Sequence, residues 1–352
     1  MKPIRVLVVD DASVFRTALK MGLGRDPDIE VVGTAANGRI ALDCVERLRP
    51  DVVTLDFEMP EMNGLEVLRK IKKDDPKIKV IMASAFTSKG AELTMEALTS
   101  GAADFVAKPS GGSVREGLDT LVSELLPKIK SFFGGTLSGA TQRLLTRTAG
   151  PDKYPASLYR MRELVCIGIS TGGPQSLADV IPKLPRNFLA PIAIVQHMPP
   201  IFTAKLADRL NNLSELNVVE AAHGDVMKAG SVYIAPGGKH MRVKRGAAGP
   251  ICQLNEREKI NSCRPAVDAL FSSAAEAYSS KVLACVMTGM GQDGLVGAQE
   301  IVAKGGSVFC QDRDSCVVWG MPRAIQKADI AEAVIPLSKI GDALKEFVMG
   351  KR

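Results

Sequence analysis

The chain has 352 residues, of which 46% are hydrophobic, 24% charged and 5% aromatic. That length favours two domains, and the apolar fraction is enough for a core in each. No run approaches the length of a membrane span, and the N-terminus MKPIRV enters a strand pattern at once, so neither a membrane anchor nor a signal peptide is expected. The seven cysteines are scattered without CxxC spacing, and Cys166, Cys285 and Cys310 lie inside apolar runs. They read as reduced thiols of a cytoplasmic protein rather than as zinc ligands or a disulfide framework. Net charge is +6, with five basic and two acidic residues in the short stretch 131–163 alone. Neither half has a basic run interleaved with aromatics, so nucleic acid is not an expected partner.

Strand and helix patterns alternate five times from the N-terminus. Strands are predicted at 4–9, 30–35, 52–56, 78–84 and 103–107, with 3.6-periodic stretches such as LEVLRKIKKD between them and a last helix over 113–130. The strands end on chemistry. IRVLVVDD delivers Asp10 and Asp11, DVVTLDFEMP delivers Asp56, KVIMASA delivers Ser84 and ADFVAKPS delivers Lys108. In an open parallel sheet these carboxyl ends form one crevice. Three carboxylates there repel one another unless a cation joins them, and Mg²⁺, with its preference for hard oxygen ligands, is the expected occupant. A carboxylate beside Mg²⁺, a Lys and a hydroxyl is equipped to accept a phosphoryl group.

The strings VVDDA, TLDFEMPEMNGLEVL, ASAF and DFVAKPS, in this order, resemble the response-regulator receiver family over residues 2 to about 125. The resemblance implies that Asp56 is the phosphoacceptor. It implies Mg²⁺ held by Asp11, the Asp56 carboxylate and the Glu58 carbonyl, with Asp10 acting through water. Ser84 and Lys108 would hold the phosphoryl oxygens, Phe105 would be the aromatic whose rotamer follows phosphorylation, and Lys108-Pro109 would be a cis peptide. A histidine kinase is the implied phosphodonor.

Residues 131–161, rich in Gly, Ser, Thr and Arg, read as a linker with one possible helical turn at 143–146. Strand–helix alternation then resumes from ELVCIGI. The strands PIAIVQH, LNVVEA, SVYIAP, KVLACVMTGM, SVFCQD and AEAVIP follow, with the pair MRVKRG and ICQLNE forming an antiparallel hairpin. Helices are expected over PQSLADVIPKL, FTAKLADRLNN and PAVDALFSSAAEAY, and near 293–303 and 322–327. The predicted fold is α/β throughout. A doubly wound (βα)5 domain over 1–130 resembles flavodoxin, and a doubly wound, mostly parallel α/β domain with a short hairpin occupies 162–352.

In the second half, CIGISTGGP puts Ser170 between a buried strand and a glycine-led helix start. Glycines let backbone N–H groups approach a reacting oxygen, and a helix N-terminus favours a developing anion. The string also fits G-x-S-x-G through Gly168, Ser170 and Gly172. A serine nucleophile needs a base and an orienting carboxylate. Ser170–His197–Asp293 draws all three from strand ends. Ser170–Asp225–His240 keeps the chain order of α/β-hydrolases, and His223 reads as a loop residue. Readings outside catalysis are a DNA-binding output domain, which such domains' small helical build disfavours, and a nucleotide-binding domain on Gly168, Gly172 and Gly173, which lacks an acidic ribose partner.

GISTGGP, VQHMPPIFTAKLADRL, YIAPGGKHM and VMTGMGQDG resemble the catalytic domain of the chemotaxis protein-glutamate methylesterases, the CheB family, from about residue 162 to the end. The resemblance selects Ser170, His197 and Asp293, with Thr171 assisting His197, the Met290 N–H as oxyanion donor and His240 lining the site. It implies hydrolysis of glutamate methyl esters on chemoreceptors, deamidation of certain receptor glutamines, inhibition by the unphosphorylated receiver, and an esterase step that needs no cofactor; a monomer is expected, with no feature of the sequence deciding it.

Overall fold

The computed structural model describes residues 2–108, 114–133 and 154–350, with the side chains of 114–116 left aside. The chain divides into two compact units, Met1–Gly135 and Thr136–Arg352. The expected cis peptide at Lys108-Pro109 and the helical turn at 143–146 lie outside the described residues.

The first unit is a five-stranded parallel sheet in the order β2-β1-β3-β4-β5. Its strands are β1 (Ile4–Val9), β2 (Ile29–Ala35), β3 (Val52–Asp56), β4 (Lys79–Ala85) and β5 (Asp104–Lys108). This is the flavodoxin-like order, with its switch point between β1 and β3. The central strands are apolar on both faces because helices cover both: β3, VVTLD, is buried at every position. Helices α1 (Ser13–Leu23), α2 (Gly38–Leu48), α3 (Gly64–Asp74), α4 (Ser88–Thr99) and α5 (Val114–Ser131) alternate with the strands. Side chains fix three of their starts. Asn37 accepts from the Ile40 N–H, Asn63 from that of Glu66 and Thr87 from that of Gly90, each satisfying a donor the helix leaves unpaired. Val6, Val8, Val52, Ile81, Leu121, Leu125 and Ile129 belong to the core.

The second unit holds a seven-stranded sheet in the order β14-β13-β12-β6-β7-β9-β8, in which every neighbouring pair is parallel. It comprises β6 (Leu164–Ile169), β7 (Ile192–Gln196), β8 (Asn217–Glu220), β9 (Ser231–Ile234), β12 (Val282–Val286), β13 (Ser307–Gln311) and β14 (Ala333–Ile335). The hairpin β10 (His240–Gly246) and β11 (Gly249–Asn255) pairs separately and antiparallel. The helices are α6 (Gly173–Val180), α7 (Phe202–Leu213), α8 (Val267–Tyr278), α9 (Leu295–Ala303), α10 (Met321–Lys327) and α11 (Leu337–Met349). The last of these, α11, has no counterpart among the predicted elements. The strand expected through Met290 stops at Val286, and the remaining residues turn out onto the sheet's rim.

Residues 154–161, placed by composition at the end of the linker, pack onto this unit. Tyr154 and Tyr159 meet Phe347 of α11 edge to face, at 5.0 and 5.5 Å between ring centroids. Leu158 is fully buried, and the buried Arg162 donates to the carbonyls of Ser157, Ser280 and Val282 and to Ser307 Oγ. Two tyrosines and a leucine supply the apolar area that the Gly- and Ser-rich part of the linker lacks.

Candidate functional site

In the first unit, Asp10, Asp56, Ser84 and Lys108 meet at the carboxyl ends of β1, β3, β4 and β5. Lys108 Nζ lies 2.8 Å from Asp10 Oδ2 and 2.6 Å from Asp56 Oδ2, and sits over the Phe15 ring, 5.0 Å from its centroid. Asp10 and Asp56 are buried and Asp11 is exposed. One oxygen from each of the three lies within 4.8 Å of the others. Burial raises the Asp56 pKa from 3.8 to about 6. Lys108 opposes that rise, and Asp10 and Asp11 add to it. One lysine therefore leaves the negative charge under-compensated, and the all-oxygen donor set fits a hard divalent cation. Asp11, Asp56, Glu58, Ser84 and Lys108 line a common cavity of about 160 Å³.

Ser84 is fully buried, and its hydroxyl is turned toward α4. It donates to the Gly90 carbonyl at 3.1 Å and accepts from Thr94 Oγ1 at 2.7 Å. Donating to a ligand in the cavity therefore requires the Ser84 proton to leave the Gly90 carbonyl. Phe105 is buried on β5, in register with Met82. Thr94 and Phe15 carry no signal in the sequence. Both come from helices, where a polar or aromatic residue carries no periodic signal of its own.

In the second unit, Ser170 follows β6, the first of the sheet's strands in the chain and the central one in space, with β7 on one side and β12 on the other. Ile169 and Gln196 are register partners, so Ser170 and His197 leave adjacent strands side by side. The Ser170 N–H donates to the Thr288 carbonyl at 2.9 Å and the His197 N–H to the Ile169 carbonyl at 3.2 Å. Gln196 Nε2 ties the two ends by donating to the Ser170 carbonyl at 3.0 Å and to the His197 carbonyl at 3.3 Å. A Cβ on Gly289 would stand 2.8 Å from Ser170 Cβ, so glycine is what lets the 289–290 backbone approach the serine. Among the described residues, the Met290 N–H has no protein acceptor, which leaves it available to an oxyanion. Thr171 is buried next to Ser170, its carbonyl taking a hydrogen bond from Thr288 Oγ1 at 3.0 Å.

His197 Nε2 lies 2.7 Å from Asp293 Oδ2. Asp293 is a well-held anion. Oδ2 also accepts from the Val267 N–H at 2.6 Å, and Oδ1 accepts from Asn261 Nδ2 and from the N–H groups of Asp268 and Gly294 at 3.0, 3.2 and 3.0 Å. Two of these donors begin α8, whose N-terminus favours negative charge. Burial pushes the Asp293 pKa up, but the His197 hydrogen bond and charge, with Val267 and Asn261, bring it below 3.8. Its neighbour Asp268 shifts the other way: burial raises it, and the Asp293 charge adds to the rise against the Gly297 N–H.

The His197 pKa moves from 6.5 to about 9. Burial lowers it, and the bonds to Asp293 and to Cys263 outweigh that. With the Nε2–H given to Asp293, the other nitrogen, Nδ1, is the one left to accept a proton. It faces Cys263, whose Sγ is 3.6 Å away. Among the described residues, Ser170 Oγ makes no hydrogen bond, and His197 Nδ1 has Cys263 Sγ as its partner.

The alternative Ser170–Asp225–His240 is not assembled. Both ring nitrogens of His240 are engaged by backbone, Nε2 with the Glu258 carbonyl at 2.9 Å and Nδ1 with the Ala266 N–H at 3.2 Å. Asp225 Oδ2 caps its own loop at the Ala222 N–H. His223 Nδ1 accepts from the Leu254 N–H in an exposed loop. Asn261, Cys263 and Asp268 join the site without having been expected from the sequence. They lie in KINSCRPAVD, a polar stretch before a helix start whose value as a signal emerges only once α8 is seen to abut β12's rim.

A parallel sheet that gathers a serine, an imidazole and a buried aspartate at its switch point has the build of an α/β hydrolase, here following a unit whose sheet ends in an acidic cluster. Residues 165–344 match the CheB methylesterase family and residues 6–115 the response regulator receiver domain. A protein-glutamate methylesterase/protein-glutamine glutaminase of Nocardioides sp. is 46% identical, with 97% of this chain and 94% of that protein covered. One of Thermotoga maritima is 44% identical, with 98% of each covered. The crystal structure of the Thermotoga maritima CheB methylesterase catalytic domain is 48% identical and covers 54% of this chain and all of that one, with a TM-score of 0.52. The chain belongs to the CheB methylesterase family.

Proposed function

We propose that this chain is a phosphorylation-activated serine hydrolase that removes methyl groups from glutamate methyl esters of chemoreceptors and deamidates particular receptor glutamines. The observation that carries the reading is the junction of β6, β7 and β12, where Ser170 and His197 leave neighbouring strands and Asp293, in the loop after β12, holds the imidazole at 2.7 Å. Names of full-length relatives as protein-glutamate methylesterase/protein-glutamine glutaminase support the substrate.

Catalysis begins when neutral His197 takes the Ser170 proton on Nδ1 as Oγ attacks the ester carbonyl carbon. Asp293 keeps the Nε2–H tautomer and stabilises the imidazolium that forms. The Met290 N–H donates to the oxyanion. His197 then protonates departing methanol, or ammonia from a glutamine, and activates the water that releases the acyl group. Because Nδ1 also faces the Cys263 thiol, the imidazole must exchange that neighbour for Ser170 Oγ.

In the receiver, Asp56 accepts the phosphoryl group, with Lys108 and a reoriented Ser84 on its oxygens. Asp10, Asp11, Asp56 and the Glu58 carbonyl would hold Mg²⁺, which supplies charge neutralisation to the acidic cluster. A histidine kinase is the natural donor. Among the described residues, no helix is long and apolar enough to cross a membrane. The test is methanol release from methylated receptor membranes with and without acetyl phosphate. Release that depends on Ser170 and rises with phosphodonor in Mg²⁺ is expected. A chain that accepts phosphate but releases no methanol under either condition would overturn the reading.

A further inference from the structure

We propose that Cys263 and His197 form a binding site for a thiophilic divalent cation such as Zn²⁺, and that filling it stops hydrolysis. Cys263 Sγ and His197 Nδ1 are 3.6 Å apart. In a tetrahedral site with ordinary zinc–sulfur and zinc–nitrogen bonds, those two atoms stand about 3.5 Å apart. One ligand atom from each of Cys263, His197 and Asp293 lies within 4.8 Å of the others. The imidazole is oriented as a metal ligand, for its remote nitrogen is committed to Asp293 at 2.7 Å. In the neutral ring that carboxylate fixes the tautomer whose Nδ1 lone pair faces Cys263, and it makes the ring a better donor.

The thiol is held in place as firmly as the ring. Ile260 and Cys263 exchange both backbone hydrogen bonds, at 3.1 and 2.8 Å. Between them Asn261 and Ser262 both take positive φ, 51° and 63°, the geometry of a tight two-residue turn. Asn261 Nδ2 then donates to Asp268 at 2.9 Å and to Asp293 at 3.0 Å, tying the turn to the carboxylate behind the imidazole. Cys44, Cys166, Cys252, Cys285 and Cys310 are buried, whereas Cys263 is partly exposed beside a nitrogen ligand. Sulfur and imidazole donors reject a hard cation and select a softer one, so Mg²⁺ does not compete. Water completes the coordination.

The consequence for hydrolysis is direct. A cation on Nδ1 removes the lone pair that takes the Ser170 proton. Binding displaces the protons that the thiol and the imidazole would otherwise carry.

The full chain in excess Mg²⁺, which keeps the receiver cluster out of competition, is titrated with Cd²⁺ while the ultraviolet thiolate-to-cadmium charge-transfer band is followed. In parallel, iodoacetamide alkylation of each cysteine is timed by mass spectrometry with and without Zn²⁺. We expect the band to appear in the native chain and in C316S and to vanish in C263S. The Asp293→Asn variant should bind about 10- to 100-fold more weakly. Zn²⁺ should slow alkylation of Cys263 by about tenfold or more and leave Cys316 unaffected. Methanol release by the native chain should fall with Zn²⁺ and recover with EDTA, and each variant is scored against its own metal-free rate. A band that survives in C263S, or an unchanged Cys263 alkylation rate in the native chain, overturns the site. Protection of Cys263 without slower methanol release overturns its inhibitory role. If no methanol is released even without metal, the esterase reading fails, while the two binding measurements still decide the site.

Discussion

Two buried aspartates at the ends of two parallel sheets behave in opposite ways. Asp56 in the receiver is driven up to about 6, while Asp293 in the catalytic unit is held below the usual carboxylate value. Both lose water to burial and both have one cationic partner, Lys108 in the first case and His197 in the second. The difference lies in the remaining neighbours. Asp56 shares its crevice with Asp10 and Asp11. Asp293 receives three backbone N–H groups and the Asn261 amide. A carboxylate fed by backbone donors at a helix start is a permanent anion, suited to orienting an imidazole. One crowded by like charges is short of positive charge, suited to recruiting a cation and accepting an electrophile.

The largest expected effect breaks the catalytic side of that contrast. Ser170→Ala and His197→Ala should each lower methanol release on the order of 10⁴-fold or more, because nucleophile and base act as a unit. Phosphoryl uptake from acetyl phosphate, followed by radiolabel, should be intact in both. Near-normal release by either variant would dissolve the triad.

The receiver side is sharpened by Asp56→Asn. Phosphoryl uptake should cease while basal methanol release persists. The substitution should also stabilise the receiver. A folded pKa raised from 3.8 to about 6 favours the folded state while the group is protonated, below the unfolded value. That contribution is lost as pH rises through about 6, leaving a buried charge that costs stability above it. Urea titration at pH 8 should therefore show a gain of about 1–3 kcal/mol for the Asn variant without Mg²⁺. The gain should shrink toward pH 4 and shrink when Mg²⁺ is added. A variant less stable than the native chain at pH 8 would mean that Lys108 compensates Asp56 fully.

A smaller effect is expected at His240, which spans the Glu258 carbonyl and the Ala266 N–H on either side of the turn bearing Asn261 and Cys263. His240→Ala should cost between about ten- and a hundredfold in kcat through misplacement of that turn. An inactive His240→Ala beside an active His197→Ala would restore the Ser170–Asp225–His240 order.

The mildest test is the pH–rate profile. With the His197 pKa raised to about 9, the base form should still be increasing above pH 7. The same shift gives a stability contribution fully present below 6.5 and lost as pH climbs through about 9. A kcat plateau already reached at pH 6 would show that substrate displaces Cys263 and resets the imidazole before the chemical step.

Much of this was legible in the residues alone. Strand ends bearing Asp10, Asp56, Ser84 and Lys108, and then Ser170 and His197, follow from one rule: a parallel strand's polar last residue faces the crevice shared by its neighbours. Apolar runs and glycine-led helix starts fix those ends locally, so the sequence determined the α/β architecture, both candidate sites and the order of their parts. The polar stretch that carries Asn261, Cys263 and Asp268 was not legible. Its two left-handed residues are not glycines, and its partners His197 and Asp293 are 66 and 32 residues away in the chain, counted from Cys263 and Asn261 respectively. The choice of base nitrogen, the opposite shifts of Asp56 and Asp293, the turned-away hydroxyl of Ser84 and the packing of Tyr154 and Tyr159 on Phe347 were likewise decided by tertiary structure. Each depends on which donors and apolar faces arrive from distant segments once the sheets are assembled, and no local pattern records that.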